Sequence, residues 1–137
     1  MRHIQYIVVH CTATRQELDI SPVLRYWHQH LGWRNPGYHY LVSPEGRVHC
    51  LHPEEKVANG VRGFNAESLH VGYTGGHDFA TGRPVDNRTE AQKLSLRNLV
   101  RVLKHRYPAA VVQGHRDFPG VRKACPCFHA KTEYSQL

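Results

Sequence analysis

Residues 4–10, IQYIVVH, decide the fold, because they are dense in β-branched and aromatic side chains. Such a run predicts a buried β-strand. The strand ends where residues 11–14, CTAT, turn small and polar. His10 therefore lies at the end of a strand, at an edge of the sheet where side chains from other strands can meet it.

A helix and a hairpin are predicted next. Ser21 as N-cap and Pro22 at the first helical position predict where the helix begins, and Gly32 predicts its end. Its apolar side chains share one face, which covers the sheet: Val23, Leu24, Trp27 and Leu31. Residues 38–43 and 46–51 alternate in polarity on either side of a Pro-Glu-Gly turn, and this pattern predicts a β-hairpin.

The strongest helix signal begins at Thr89. Thr89 and Gln92 have the spacing of a capping box, apolar side chains follow at helical intervals, and Pro108 ends the helix. The other predicted elements are a strand at residues 68–74, a surface loop at 75–88, a strand at 110–113 and a short helix within 128–137. This order predicts an α/β fold with a central mixed β-sheet flanked by α-helices.

The chain has 137 residues, of which 40% are apolar and 21% charged, and this size and composition predict one domain over residues 1–137. No apolar run approaches the roughly 20 residues that a bilayer requires. The N-terminus lacks the apolar region and cleavage site of a secretory signal. We therefore expect a monomer that is made in the cytoplasm and does not insert into a membrane.

The net charge is +7, from 18 Lys and Arg against 11 Asp and Glu. A basic protein is attracted to polyanions, which include nucleic acid, anionic lipid and anionic cell-wall polymers. Charge alone does not choose among them, and the scattered basic residues equally fit a solvated basic face. Four cysteines are few for a disulfide scaffold, and together with 12 histidines they favour reduced thiols or a metal site.

Zinc hydrolases usually bind the ion through three His, Cys or carboxylate side chains and leave a fourth position for water or substrate. His10, His115 and Cys125 are the candidates, since both histidines stand at the ends of predicted strands. Cys125 and Cys127 are too close for the paired cysteines of a zinc finger. Spacing alone leaves open that these histidines are ordinary surface or hydrogen-bonded residues.

Four short motifs follow one another along the chain. They are residues 8–14 (VVHCTAT), 37–40 (GYHY), 114–117 (GHRD) and 123–128 (KACPCF). In this order they resemble the zinc-dependent N-acetylmuramoyl-L-alanine amidases of the bacteriophage T7 lysozyme type, which are related to the peptidoglycan recognition proteins. The resemblance extends over almost the whole chain and implies the fold of that family.

The resemblance implies a role for each matching residue. The family's ligands for one Zn²⁺ fall on His10, His115 and Cys125, its active-site tyrosine on Tyr38 and its catalytic lysine on Lys123. The implied reaction is hydrolysis of the amide bond between N-acetylmuramic acid and L-alanine in peptidoglycan, by a phage endolysin that a holin releases or by a delivered effector. Tyr38 and Lys123 would stabilise the oxyanion, and Cys125 would be a ligand rather than a nucleophile.

Three positions depart from the family's pattern. The family commonly has His where Gly60 stands, Gly where His70 stands and Asp where His129 stands. The resemblance places Gly60, Asn65 and His70 at the border of the substrate groove. These three residues are therefore the predicted substrate-binding set.

The loop before Cys125 carries a further candidate. Asp117 is expected either to accept a hydrogen bond from a ligand imidazole or to form a salt bridge with Arg116 or Arg122. The histidine at position 129 removes an acidic acceptor near Cys125, and we expect the partner of that acceptor to be rearranged.

Two other functions stay open. The first is a peptidoglycan-binding module of the same fold that has lost turnover, which the changes at Gly60 and His70 favour and the retained ligands disfavour. The second is a basic nucleic-acid-binding domain without metal, which the charge permits but no recognisable reading motif supports. We expect peptidoglycan or a muropeptide, and not nucleic acid, as the partner.

Overall fold

The structure is a computed structural model that describes residues 2–137. Its strands are β1 (Tyr6–Cys11), β2 (Tyr40–Val42), β3 (Val48–Cys50), β4 (Ser68–Tyr73), the short β5 (His77–Asp78) and β6 (Arg83–Pro84), and β7 (Val111–Gly114). Within the described residues, a sheet of five strands has the order β3-β2-β4-β1-β7, and β5 pairs with β6. The β2–β3 pair is antiparallel, whereas the other pairs of the large sheet are parallel.

Helices flank this sheet. They are α1 (Ile20–Arg25), which continues into a π-helical turn (Tyr26–His30), α2 (Glu90–Arg106) and α3 (Ala130–Glu133). A 3₁₀ turn (Asn65–Glu67) precedes β4, and another (His115–Asp117) follows β7. The predicted α/β class, a mixed sheet flanked by helices, is confirmed. None of the helices in residues 2–137 has the length and apolar character needed to cross a membrane.

Strand β1 pairs in parallel with both of its neighbours, β4 and β7. Val9 is opposite Val71 on one side and Gly114 on the other, and His10 is opposite Gly72. Because parallel strands point the same way, their carboxyl ends share one edge of the sheet. The residues at the ends of β1 and β7 are therefore neighbours, although they are far apart in the chain.

The two faces of β1 have different surroundings, because successive side chains of a strand point to opposite faces. Ile7 and Val9 point to one face and pack with α2 in the main hydrophobic core. Val8 and His10 point to the opposite face, which smaller clusters of side chains cover. One face therefore builds the core, and the other positions polar side chains.

The predicted capping box holds the start of α2. The Thr89 hydroxyl accepts the Gln92 backbone N–H (2.9 Å), and the Gln92 side-chain oxygen accepts the Thr89 N–H (3.0 Å). The Gln92 side chain is fully buried, and its amide nitrogen donates to the carbonyls of Val42 (3.1 Å) and Thr74 (3.0 Å). One side chain thus joins α2 to the ends of β2 and β4.

The start of the first helix differs from the prediction. α1 begins at Ile20 with Asp19 as its N-cap, and no side chain caps it, so Ser21 lies inside the helix. Pro22 fits there because the N–H groups of the first turn have no acceptor within the helix. Residues 75–88, predicted as a surface loop, contain the β5–β6 hairpin, whose two-residue strands are too short for a periodic signal.

The buried face of this helix is narrower than predicted. Val23 and Trp27 are buried, whereas Leu24 and Leu31 are 38% and 39% exposed. In the π-helical turn the Leu31 N–H donates to the Tyr26 carbonyl (3.0 Å), which changes the helical spacing. The apolar face that was predicted from regular α-helical spacing is therefore wrong for the π-helical half of the helix, which Leu31 directly follows.

We expect Gln92→Met to lower the free energy of unfolding by roughly 2–3 kcal/mol, because the Thr89 N–H and two strand carbonyls lose a buried partner. Arg97→Met, at an exposed position of the same helix, is the control and should cost less than about 0.5 kcal/mol. Urea unfolding measures both variants. Equal stabilities would show that Gln92 does not join the helix to the sheet.

Candidate metal centre

The side chains of His10, His115 and Cys125 meet at the carboxyl edge of the sheet. Their ligand atoms, one ring nitrogen from each histidine and the cysteine sulfur, all lie within 4.8 Å of one another. The Cys125 sulfur is 3.9 Å from His10 Nδ1, and the centroids of the two imidazole rings are 4.9 Å apart. The structure therefore brings together the three residues that the sequence predicted as metal ligands.

Strand pairing places the two histidines. His10 is the penultimate residue of β1, and His115 directly follows β7. Cys125 belongs to the loop after β7, which folds back so that the Arg116 N–H donates to the Cys125 carbonyl (2.9 Å). A Cβ on Gly114 would be 2.6 Å from the ring of the proline after Cys125, so glycine is needed for the loop to pack there.

Burial keeps the two candidate ligand histidines neutral. Burial lowers the pKa of His10 well below its usual range, and neighbouring histidines and the Lys123 ammonium lower it further. Burial and the same ammonium lower the pKa of His115 to about 4. A neutral imidazole keeps a lone pair for a metal ion. The Cys11 N–H, 3.1 Å from the Cys125 sulfur, provides a hydrogen-bond donor for a thiolate.

Tyr38 lies against His10, with its ring stacked on the imidazole at a centroid distance of 4.7 Å. A Cβ on Gly72 would be 2.7 Å from Tyr38 Cε2, so the strand must have glycine beneath this ring. Burial raises the pKa of Tyr38, and its protonated hydroxyl donates to the Cys11 carbonyl (2.8 Å). The oxyanion role of Tyr38 stays a prediction, because the hydroxyl would have to leave this carbonyl first.

The three ligand residues line a groove of about 430 Å³, whose walls also include Tyr26, Trp27, Trp33 and Gly60. Lys123 is exposed and lines the same groove. Among residues 2–137, no carboxylate pairs with its ammonium. A cation here can act on negative charge that develops in a bound substrate, and the catalytic role of Lys123 stays a prediction.

The predicted substrate-binding residues have different locations. Gly60 lines the groove, as expected. His70 is completely buried behind His10, with its Nδ1 2.9 Å from His10 Nε2. The Asn65 side-chain oxygen lies 2.9 Å from His70 Nε2 and accepts the Val61 N–H (2.8 Å). His70 therefore lies behind the groove wall and not at its border, because β4 turns it toward His10, and the substrate-binding roles of Gly60 and Asn65 stay predictions.

Sequence reasoning missed the contact between His70 and His10, although the sequence holds a signal for it. Gly60 and His70 depart from the family's pattern together, and a Cβ on Gly60 would lie 2.2 Å from His70 Nδ1. The two departures are therefore one structural feature. His39, which the sequence did not single out, is also completely buried, beside His70.

The loop before Cys125 is held differently from the expectation. The Asp117 carboxylate accepts the Gly114 N–H (2.8 Å) instead of contacting a ligand imidazole or an arginine. The 3₁₀ turn after β7 needs an acceptor for its first N–H groups, and Asp117 supplies one. His129 occupies the place of the missing acidic residue, where its Nδ1 accepts from the Arg116 guanidinium (2.9 Å).

A mixed sheet whose carboxyl edge carries two histidines and a cysteine in an open groove is the arrangement of a metal-dependent hydrolase. Residues 1–128 match the N-acetylmuramoyl-L-alanine amidase family, and the chain belongs to this family. Membership confirms the resemblance drawn from the four motifs. It also makes an enzyme the best supported of the three functions considered.

Two phage endolysins are similar to the chain in sequence. The endolysin of Klebsiella phage KP32 is 39% identical over 126 residues, which are 91% of this chain and 82% of the endolysin. The endolysin of Escherichia phage T7 is 36% identical over 126 residues, again 91% of this chain and 82% of the endolysin. These relatives agree with the phage type of amidase that the motifs indicated.

Two solved structures are similar in fold. The endolysin of the Thermus scotoductus bacteriophage Ph2119 has a TM-score of 0.77 at 30% identity, over 92% of this chain and 79% of that chain. Drosophila PGRP-LB, a peptidoglycan recognition protein, has a TM-score of 0.78 at 14% identity, over 100% of this chain and 82% of that chain. The second similarity concerns the fold alone, and it confirms the expected relation to that fold.

We expect the metal-free protein to lose stability as the pH falls below about 6.5. Burial lowers the pKa of His39 and His115 to about 4 in the folded protein, and it shifts His10 and His70 in the same direction. Between about pH 4 and pH 6.5 the histidines of the unfolded chain bind protons that those of the folded protein do not, so acid favours unfolding. Urea unfolding across this range is the measurement, and a free energy of unfolding that stays constant or rises on acidification would contradict the expectation.

Proposed function

We propose that this protein is a zinc-dependent endolysin that hydrolyses the amide bond between the lactyl group of N-acetylmuramic acid and the L-alanine of the peptidoglycan stem peptide. One observation carries the proposal: His10, His115 and Cys125 present ligand atoms within 4.8 Å of one another in a groove that Lys123 also lines. The family and the similar endolysins support the choice of reaction.

The donor set fits zinc. Two neutral imidazoles and one cysteine sulfur are ligands that Zn²⁺ prefers, and three protein ligands are the usual number in a catalytic zinc site. All three side chains line the groove, so a substrate can reach the same point. When bound, zinc supplies a Lewis acid for the amide carbonyl and activates water near neutral pH. We propose one ion per chain.

Lys123 and Tyr38 contribute differently to the proposed reaction. The Lys123 ammonium, without a carboxylate partner in the part of the chain that the structure describes, can stabilise negative charge on the amide oxygen. Tyr38 orients His10 through the stacked rings, and its hydroxyl can donate to the amide oxygen only after it releases the Cys11 carbonyl. Lys123 is therefore the first candidate for stabilising the oxyanion.

The surroundings of the centre suit an elongated substrate with apolar faces. A second cavity, of about 280 Å³, shares Tyr26, Trp27 and Tyr38 with the groove, and aromatic walls pack against the apolar faces of ligands. The net charge of +7 attracts the protein to anionic cell-wall polymers, more weakly as salt rises. We propose that the protein is a monomer that acts on the cell wall after release by a holin or other delivery.

Zinc content and digestion of purified sacculi test this function. We expect the wild-type protein to bind one zinc ion per chain and to release new L-alanine amino termini. Cys125→Ala should lose both properties, because it removes the one sulfur ligand of the centre. Cys50→Ala, which removes an exposed cysteine of β3, is the control and should keep both.

The same experiment separates the other functions. Wild-type protein that binds zinc and peptidoglycan but cleaves nothing would contradict the enzyme and favour the binding module. Wild-type protein that binds no zinc but shifts DNA would favour the nucleic-acid-binding domain.

Lys123→Ala should keep its zinc and lose turnover by on the order of 100-fold, because it removes a charge that acts on the transition state. Arg122→Ala is the matched control, since it removes a neighbouring exposed cation that does not line the groove. Zinc content and sacculus digestion of both variants are the measurements. Turnover of Lys123→Ala at the level of Arg122→Ala would exclude the oxyanion role.

A further inference from the structure

A line of three side chains holds the buried side of His10. His70 of β4 points to the same face of the sheet as His10, because the parallel pairing sets His70 opposite Val8. His10 Nε2 is 2.9 Å from His70 Nδ1, and His70 Nε2 is 2.9 Å from Asn65 Oδ1. The two histidines are 1% and 0% exposed, and within residues 2–137 neither has a carboxylate as a hydrogen-bond partner.

The hydrogen bonds assign the protons along this line. The Asn65 atom is the amide oxygen, because it also accepts the Val61 N–H (2.8 Å). His70 Nε2 must therefore carry a proton and donate to it. A fully buried imidazole without an anionic partner is neutral, so His70 Nδ1 has a lone pair and accepts from His10 Nε2. His10 then has its proton on Nε2 and its lone pair on Nδ1.

We propose that His70 is a positioning residue of the metal centre, which holds His10 in the Nε2-protonated tautomer with Nδ1 turned toward Cys125. The Nδ1 atom lies 3.9 Å from the Cys125 sulfur, on the side of the centre. Hydrogen-bond partners of this kind fix the tautomer and ring orientation of metal-ligating histidines. The inference rests on the proposed function, because it takes His10 as a metal ligand.

Gly60 makes room for His70. A Cβ on Gly60 would lie 2.2 Å from His70 Nδ1 and 2.5 Å from its Cγ, so a side chain at position 60 would displace the imidazole from His10. In the pattern of the amidases that the chain resembles, position 60 carries histidine and position 70 carries glycine, the reverse of this chain. This chain supplies the imidazole from beneath His10.

His39 offers a matched control. Its Nδ1 accepts the His70 backbone N–H (3.0 Å), and its Nε2 donates to the Lys56 carbonyl (2.8 Å). It is as buried as His70, and the two rings are stacked with centroids 6.0 Å apart. His39→Asn keeps an acceptor near the Nδ1 position, so it removes a buried histidine and leaves the line from Asn65 to His10 intact.

Nitrogen NMR of the metal-free wild-type protein tests the proton assignment. We expect the His10 ring to be protonated at Nε2 and unprotonated at Nδ1, with a coupling across the hydrogen bond to His70 Nδ1. A proton on His10 Nδ1 would overturn the inference. This readout needs neither zinc nor turnover, so it is independent of the proposed function, which fails if the wild-type protein binds no zinc and cleaves no peptidoglycan.

Competition with a chelator tests the consequence for zinc affinity. We expect His70→Leu to bind zinc roughly 10- to 100-fold more weakly than the wild-type protein. His70→Asn, which keeps an acceptor near the Nδ1 position, and His39→Asn should stay close to wild type. Circular dichroism establishes that each variant is folded. Folded His70→Leu with the zinc affinity of the wild-type protein would overturn the inference.

Gly60→Ala tests the same contact without changing a histidine, and it decides the question if His70→Leu does not fold. The added methyl group should push the His70 imidazole away from His10 and weaken zinc binding. In a protein that already carries His70→Gly, the ring is absent, so adding Gly60→Ala should not weaken zinc binding further. Wild-type zinc affinity of Gly60→Ala, or additive losses in the double variant, would show that His70 does not position His10.

Discussion

The parallel pairing of β1 with β4 and β7 is the constraint on which the site depends. It sets His10 opposite Gly72 and Val9 opposite Gly114, so that His115 emerges at the same edge of the sheet. Because side chains alternate between the faces of a strand, a shift of one residue in this register would turn His10 into the core and Val9 into the groove. The apolar face that packs on α2 opposes such a shift. The position of the proposed metal centre therefore follows from the hydrophobic pattern of β1.

Polar histidine rings are buried on the face of the sheet that carries the site. A buried polar ring is tolerated only when it is hydrogen bonded. His10, His70 and His39 meet this condition through one another, Asn65 and the Lys56 carbonyl. The rings remain neutral, so the sheet avoids the cost of a buried charge. In the proposed tautomer the same distribution of protons leaves a lone pair of His10 facing Cys125, so one set of hydrogen bonds would serve both stability and the proposed metal binding.

Elements with local signals could be predicted from the sequence, and those that depend on tertiary contacts could not. The capping box at Thr89 contacts its own neighbours in the chain, and the ligand residues stand in short motifs at the ends of strands. The first helix begins at Ile20, two residues before the predicted start at Pro22, because its true N-terminus has no side-chain cap and so leaves no local signal in the sequence. The burial of His70 depends on the pairing of β4 with β1 and on the absence of a side chain at Gly60, so its one signal is that these two distant positions depart from the family's pattern together.

X-ray absorption at the zinc edge tests most directly that His10, His115 and Cys125 hold one ion. We expect the zinc-loaded protein to have one sulfur at about 2.3 Å, and nitrogen or oxygen atoms at about 2.0–2.1 Å with the scattering pattern of two imidazole rings. Cys125→Ala should lack the sulfur scattering. A coordination shell without sulfur in the wild-type protein would show that zinc is held elsewhere and that the three side chains are not its site.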